Sequence, residues 1–108
     1  NFRYGELDGP FVDYWENGRI WSKGIYKNNR LDGLFFQYYK NGKLWIRANY
    51  KNGERDGPFV EFFENGQIFN KGTWKNGDWD GSWVTFRRDG TVIKHGTGTW
   101  KNGKKILD

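Results

Sequence analysis

The sequence predicts an all-β chain, an antiparallel meander built from four 24-residue β-hairpin repeats. Three observations carry this expectation. The 108 residues repeat with a 24-residue period, and periods of roughly 20–50 residues mark stacked repeat architectures. Turn residues recur at short, alternating intervals. Between them lie aromatic and β-branched residues, in segments too short for helices of about 3.6-residue periodicity.

Each unit opens on Asp-Gly, at Asp8-Gly9, Asp32-Gly33, Asp56-Gly57 and Asp80-Gly81. Asn-Gly follows at Asn17-Gly18, Asn41-Gly42 and Asn65-Gly66, with Asp89-Gly90 in the fourth copy. Lys-Asn-(Gly/Asn) closes the units at Lys27-Asn28-Asn29, Lys51-Asn52-Gly53, Lys75-Asn76-Gly77 and Lys101-Asn102-Gly103. Successive turn signals stand alternately 11 and 13 residues apart, with 13 again at the last interval. Asn and Gly accept the positive φ that tight hairpin turns demand, so the spacing predicts about eight strands. The domain reading is one repeat domain over 1–108, with 1–9 ending a preceding repeat and units at about 10–33, 34–57, 58–81 and 82–108. Residues Phe2 to Gly9 align with Tyr26 to Gly33, so the chain opens inside a repeat and reads as part of a longer protein.

A two-residue type I′ turn at Asn17-Gly18 would set Trp15 against Ile20, Asp13 against Ser22, Phe11 against Gly24 and Gly9 against Tyr26. Side chains alternate between faces. One face then carries Phe11, Phe35, Phe59 and Trp83 opposite Gly24, Ala48, Gly72 and Gly96. Tyr26, Tyr50 and Trp74 lie opposite Gly9, Gly33 and Gly57, with Trp100 opposite Gly81 if the two inserted residues of the fourth return segment are absorbed. A ring over a glycine fills its missing volume and shields its backbone. A three-residue turn with a bulge would instead shift these pairs by one. The fourth return segment, Thr91 to Trp100, is two residues longer than its equivalents, which predicts a bulge or looser strand near Gly96-Thr97-Gly98.

The same alternation sets Tyr14, Tyr38, Phe62 and Phe86 beside Trp21, Trp45, Phe69 and Ile93, with Lys23, Arg47, Lys71 and His95 alongside. A single sheet cannot bury both faces, and a large exposed apolar patch marks an interaction site. Tyr14, Trp21, Lys23, Tyr38, Trp45, Arg47, Phe62, Phe69 and Lys71 are therefore the candidate binding face. Trp and Tyr serve as anchors, and the cations would select an acidic ligand. On this reading, replacing Trp21 and Trp45 with Ala weakens partner capture and leaves the fold intact.

Apolar residues form 35% of the chain and aromatics 20%, so a few large rings supply most of the burying power. The net charge of +5 is spread evenly: residues 1–54 hold nine Lys/Arg and six Asp/Glu, and residues 55–108 hold nine and seven. No basic tail or block appears, which argues against nucleic acid as a partner. Absence of Cys excludes disulfides and thiolate zinc sites. The repeated Asp residues lack a second acidic ligand at fixed spacing, so they read as turn or bulge residues rather than calcium ligands. His95, the single histidine, stands in the slot of Lys23, Arg47 and Lys71 and reads as a surface variant. No nucleophile motif, phosphate loop or zinc spacing occurs. The expectation is no enzyme activity and no cofactor or metal.

The unit stands most fully as Tyr50-Lys51-Asn52-Gly53-Glu54-Arg55-Asp56-Gly57-Pro58-Phe59-Val60-Glu61-Phe62-Phe63-Glu64-Asn65-Gly66-Gln67-Ile68. This resembles the MORN repeat, and more closely its bacterial variant, found in tandem in proteins labelled YwqK-type antitoxins. Departures are Asn29 for the turn Gly, Asp89 for Asn, and Arg87 for the ring of Trp15, Tyr39 and Phe63. The resemblance implies an elongated, single-layer, twisted antiparallel sheet with a groove. It further implies a protein-binding scaffold, with some relatives linked to membrane lipids.

The functional expectation is thus a scaffold binding a protein or peptide through an aromatic and basic groove, antitoxin-like in the family's sense. Two other classes compete: an anionic membrane surface met by the basic rows, and a glycan stacked on the rings. Self-association through the aromatic face or the open edge strands is compatible with each. The compartment is left open by the sequence.

Overall fold

Two kinds of tight turn, each suited to its residues, fold the chain back on itself at alternating intervals. The computed structural model describes residues 2–3, 6–94 and 96–107, without the side chains of Phe2, Arg3, Glu6 and Leu107. Its strands are β1 (Phe2–Arg3), β2 (Glu6–Leu7), β3 (Gly9–Tyr14), β4 (Ile20–Lys27), β5 (Arg30–Leu31), β6 (Gly33–Tyr38), β7 (Leu44–Lys51), β8 (Glu54–Arg55), β9 (Gly57–Phe62), β10 (Ile68–Lys75), β11 (Asp78–Thr85), β12 (Gly98–Lys101) and β13 (Lys104–Leu107). Eleven of them form one antiparallel sheet in the order β3-β4-β6-β7-β9-β10-β11-β12-β13, with β5 paired to β4 and β8 to β7. Strands β1 and β2 pair separately, Phe2 facing Leu7 and Arg3 facing Glu6. This matches the pairing of Tyr26 with Leu31 and of Lys27 with Arg30. Tyr4, Gly5 and His95 lie outside the described residues.

The type I′ turns are not at Asn17-Gly18 but at the Lys-Asn-(Gly/Asn) sites. Asn28 and Asn29 have φ of 51° and 68°, and Asn52 and Gly53 have 52° and 83°, the double left-handed signature of that turn. The Asn17 turn is a three-residue loop, Glu16 to Gly18. Trp15 N donates to Arg19 O (2.7 Å) and Gly18 N to Trp15 O (3.0 Å), and Gly18 takes φ 87° where a side chain would be strained. Trp15 therefore faces Arg19 rather than Ile20, and Tyr14 faces Ile20. A bulge between Asp13 and Tyr14 then absorbs the one-residue slip, so Asp13 still faces Ser22, Phe11 faces Gly24 and Gly9 faces Tyr26. The same compensation recurs at Gln37/Tyr38 and at the Ile68/Asn70 step.

The expected strands are cut into shorter ones at Asp8, Asp32 and Asp56, whereas β11 runs unbroken through Asp80-Gly81. Tyr26 faces Leu31 but Lys23 faces Phe36, three residues along β4 against five along its partner. Asp32-Gly33 is the excess, a bulge with Gly33 at φ 101°. Asp32 Oδ1 accepts a hydrogen bond from Asn52 N (3.4 Å) and Asp56 Oδ1 one from Asn76 N (3.3 Å). Each Asp thus ties its bulge to the following repeat's turn, which is structural duty. The loop asparagines couple neighbours at the opposite edge. Asn17 Oδ1 accepts from Arg19 N (2.9 Å) while its Nδ2 donates to Lys40 O (3.0 Å). Asn41 and Asn65 repeat this toward Glu64 O and Arg88 O.

The molecule measures 48 × 32 × 13 Å; its thinness shows a single layer, since a second sheet would add about 10 Å. Its aromatic face carries two sets of touching rings, Phe11, Tyr26, Phe35 and Tyr50 and Phe59, Trp74, Trp83, Trp79 and Trp100. Arg55 lies between them, hydrogen-bonded to Tyr50 Oη and placed over Phe59 and Trp74. The expected pairs form, Phe35 facing Ala48, Phe59 facing Gly72 and Trp100 facing Gly81. Rings cover Gly24 (Phe11 and Phe35) and Gly72 (Trp83), whereas the space at Gly81 is open. Trp83 faces Gly98, not Gly96, because the longer fourth return segment leaves the ladder. Phe86 and Val92 make an isolated bridge, Lys94 and Gly96 lie in turns, and pairing resumes at Gly98. Thr97 Oγ1 fills the gap by accepting from Thr85 N (3.0 Å). Among the described residues the buried apolar set is Ile46, Ala48, Phe59 and Trp83.

Candidate functional site

The face opposite the aromatic ladder is built by the residues between the ladder positions. Reading across the strands, Val12 faces Lys23, Lys23 faces Phe36, Phe36 faces Arg47, Arg47 faces Val60, Val60 faces Lys71 and Lys71 faces Val84. The register therefore lays down one row, Val12–Lys23–Phe36–Arg47–Val60–Lys71–Val84, alternating apolar and basic. Strands sit about 4.8 Å apart, so successive cations stand roughly 10 Å apart.

This row lies between two mostly uncharged rows. On one side are Pro10 and Ile25, Leu34 and Asn49, and Pro58 and Thr73. On the other are Tyr14 and Ile20, Tyr38 and Leu44, and Phe62 and Ile68. Asp80 faces Thr73 from β11, so the first of these rows carries an acidic position at that end. The carboxylates of Asp13 and Glu61 belong to the aromatic face: Ser22 Oγ donates to Asp13 Oδ2 (3.3 Å), and Trp45 Nε1 and Asn70 Nδ2 donate to Glu61 (3.2 and 3.3 Å). The row itself pairs its cations with apolar residues alone, so it carries a net positive charge.

Two depressions lie along the row. One, of about 530 Å³, is lined by Arg47, Pro58, Val60, Lys71, Thr73 and Val84 among others. The second, of about 240 Å³, includes Pro10, Val12, Lys23, Ile25, Leu34 and Phe36. Val12, Tyr14, Ile25 and Leu34 remain exposed, Tyr14 at 62%. Lys23 Nζ lies 5.4 Å from the Phe36 ring centre and 5.8 Å from that of Tyr38, cation–π contacts that hold its charge beside the apolar surface. Arg47 and Lys71 are exposed, and among the described residues their side chains form no ion pair, hydrogen bond or ring contact.

The bulges divide the nine residues that the sequence grouped as one face. Tyr14, Lys23, Tyr38, Arg47, Phe62 and Lys71 share the open face. Trp21, Trp45 and Phe69 turn to the other. Trp21 packs on Trp15 at 5.6 Å, Trp45 stacks on Tyr39 at 5.1 Å, and Phe69 meets Phe63 at 4.7 Å. Trp45 also packs against the buried cluster. The extra residue at each bulge sends these rings across the sheet, a displacement that strict alternation misses. Conversely, Val12, Phe36, Val60 and Val84 went unmarked in the sequence, although each neighbours a ladder ring and so must point away from it.

At the loop edge, Tyr39 Oη donates to Phe62 O (2.6 Å). Burial, then the charges of Glu61 and Glu64, push its pKa above the ordinary tyrosine value. In the fourth loop the amide and hydroxyl of Thr91 hold Asp89 below the usual carboxylate value. Both groups serve the loops. Among the described residues there is no cluster of three or more His, Cys, Asp or Glu side chains able to hold a metal, and no helix long and apolar enough to cross a membrane.

Comparison with curated protein sequences finds no match. The MORN repeat variant family matches residues 7–28, 31–52 and 55–76, three consecutive units covering more than half of the chain. The sequence period, the antiparallel sheet of hairpins and this match agree. The chain belongs to the MORN repeat variant family, whose members are generally non-catalytic, repeat-based binding scaffolds.

Proposed function

We propose that the chain binds a protein segment on its open face, through the row from Val12 to Val84 and the two depressions along it. The observation that carries this is the register itself, which alternates basic and apolar side chains and pairs no carboxylate with them. Apolar depressions give contact area, and the cations choose an acidic partner and speed its encounter. An antitoxin-like role of the kind the family's YwqK-type label suggests would make that segment part of a toxin.

The test places a photo-crosslinking amino acid at Pro58, on the open face, and at Glu16, in a loop, within the native host. The expected result is one dominant adduct from position 58 and none from 16. The captured protein is then purified and titrated against the chain by calorimetry. Arg47→Glu and Val60→Asp should each weaken binding about tenfold or more. Equal adducts at both positions, or affinity unmoved by both substitutions, would remove this reading. Flotation with anionic liposomes in the absence of any protein would favour a membrane surface instead.

A further inference from the structure

Arg47, Val60 and Lys71 line one depression and are consecutive in the row. We infer that its occupant is an acidic amphipathic α-helix lying across the strands, with two carboxylates seven residues apart bracketing an apolar residue. The inference rests on the open face being the binding surface, and adds the conformation and spacing of what binds there.

The argument is one of period. Arg47 and Lys71 are separated by two strand spacings, roughly 10 Å, with Val60 midway. A helix rises about 1.5 Å per residue, so positions seven apart lie about 10.5 Å apart on nearly the same face. Positions three or four along present a side chain midway, opposite Val60. An extended strand repeats on one face every ~6.6 Å and falls out of phase. A polyproline helix repeats every ~9.3 Å but has no side chain on that face midway. Only the α-helix matches both the charged and the apolar positions. Arg47 is the better anchor, because its guanidinium can grip a carboxylate with two hydrogen bonds. Among the described residues neither cation has a partner to release first. Lys23, two strands further on, would extend the match by another heptad at the cost of leaving its rings.

Two synthetic helical peptides of identical composition test this. One carries Glu seven residues apart with Leu between them at the fourth position. The other carries Glu five residues apart, on different faces. Binding to the intact chain is followed by fluorescence anisotropy at low and at physiological salt. The in-register peptide should bind about tenfold more tightly, two ion pairs being made or missed, and the preference should shrink as salt rises. Arg47→Glu should abolish the preference, and an in-register peptide with Lys at the Arg47-facing position should restore it. Near-UV circular dichroism of the tryptophans reports that the variant is folded. Equal affinity for the two peptides, or no binding of either, overturns the helix inference. If equal binding still falls with Val60→Asp, the open-face reading survives. If binding ignores both Arg47→Glu and Val60→Asp, that reading fails as well.

Discussion

Gly72→Ala should be among the most damaging single-methyl additions in this chain. A Cβ at Gly72 would run into the indole of Trp83, the large ring at the centre of the buried cluster, only 2% exposed. Trp83 cannot step aside freely. It stacks on Trp79 at 3.7 Å and 2°, meets Trp74 edge-on, packs on Phe59, and donates from Nε1 to Thr73 O (2.8 Å). Overpacking costs about 1–3 kcal/mol, and losing the indole hydrogen bond adds about 1 kcal/mol. The total is roughly 2–4 kcal/mol, a large part of the ~5–15 kcal/mol typical of a domain. Gly66→Ala is the control: nothing lies within 4 Å of the added methyl, and only the φ of 91° opposes it, a cost of about 1–2 kcal/mol. Urea unfolding is followed by tryptophan fluorescence, and the Trp79–Trp83 couplet by near-UV circular dichroism. The reasoning is refuted if Gly72→Ala unfolds at the midpoint of the unsubstituted chain or keeps the couplet signal intact.

Further outcomes follow from the same geometry. Asn41→Ala removes the bond from Lys43 N and the one to Glu64 O, and should cost about 1–2 kcal/mol by thermal denaturation, whereas Asn41→Asp keeps the first and should cost less. Trp45→Ala, expected from sequence to leave the fold intact, should destabilise by about 2 kcal/mol because Trp45 packs on the buried cluster; the exposed Trp21 should lose less on the same change. Asp89, with its pKa lowered in the fold, helps the fourth loop above the ordinary carboxylate value of 3.8, and that help is lost as pH falls below it. The protection of the Thr91 amide, its exchange measured against the intrinsic rate at each pH, should therefore fall in acid, and Asp89→Asn should flatten that dependence. Tyr39, with its pKa raised above 10.0, contributes in the opposite sense: its help is complete at neutral pH and is lost in strong alkali, a loss that Tyr39→Phe should remove from an alkaline melting series.

The fold was legible because its signals are local and repeated. Asn28-Asn29 and Asn52-Gly53 can take two successive left-handed residues at little cost, and that alone reverses a chain into a hairpin. Rings at Phe11, Phe35 and Phe59 recur one period apart, and facing Gly24, Ala48 and Gly72 they could only be packing positions. The candidate site was half legible. Lys23, Arg47 and Lys71 stood out by recurrence, but Trp21, Trp45 and Phe69 were set on the wrong side. Their placement depends on a bulge beside each three-residue loop, and the bulge follows from the backbone pairing of two strands, which no single residue announces. His95 remains outside the described residues.

What this sequence determined by itself is the period, the antiparallel hairpins, the ring-over-glycine ladder and membership of a repeat family, because each depends on residues a few positions apart. The tertiary structure alone decided which side chains share the open face. A one-residue slip at each loop and its cancellation at each bulge leave the ladder unchanged while moving three rings across the sheet. In a single layer the choice of face separates packing from exposure, and that separation leaves Arg47, Val60 and Lys71 side by side and uncovered.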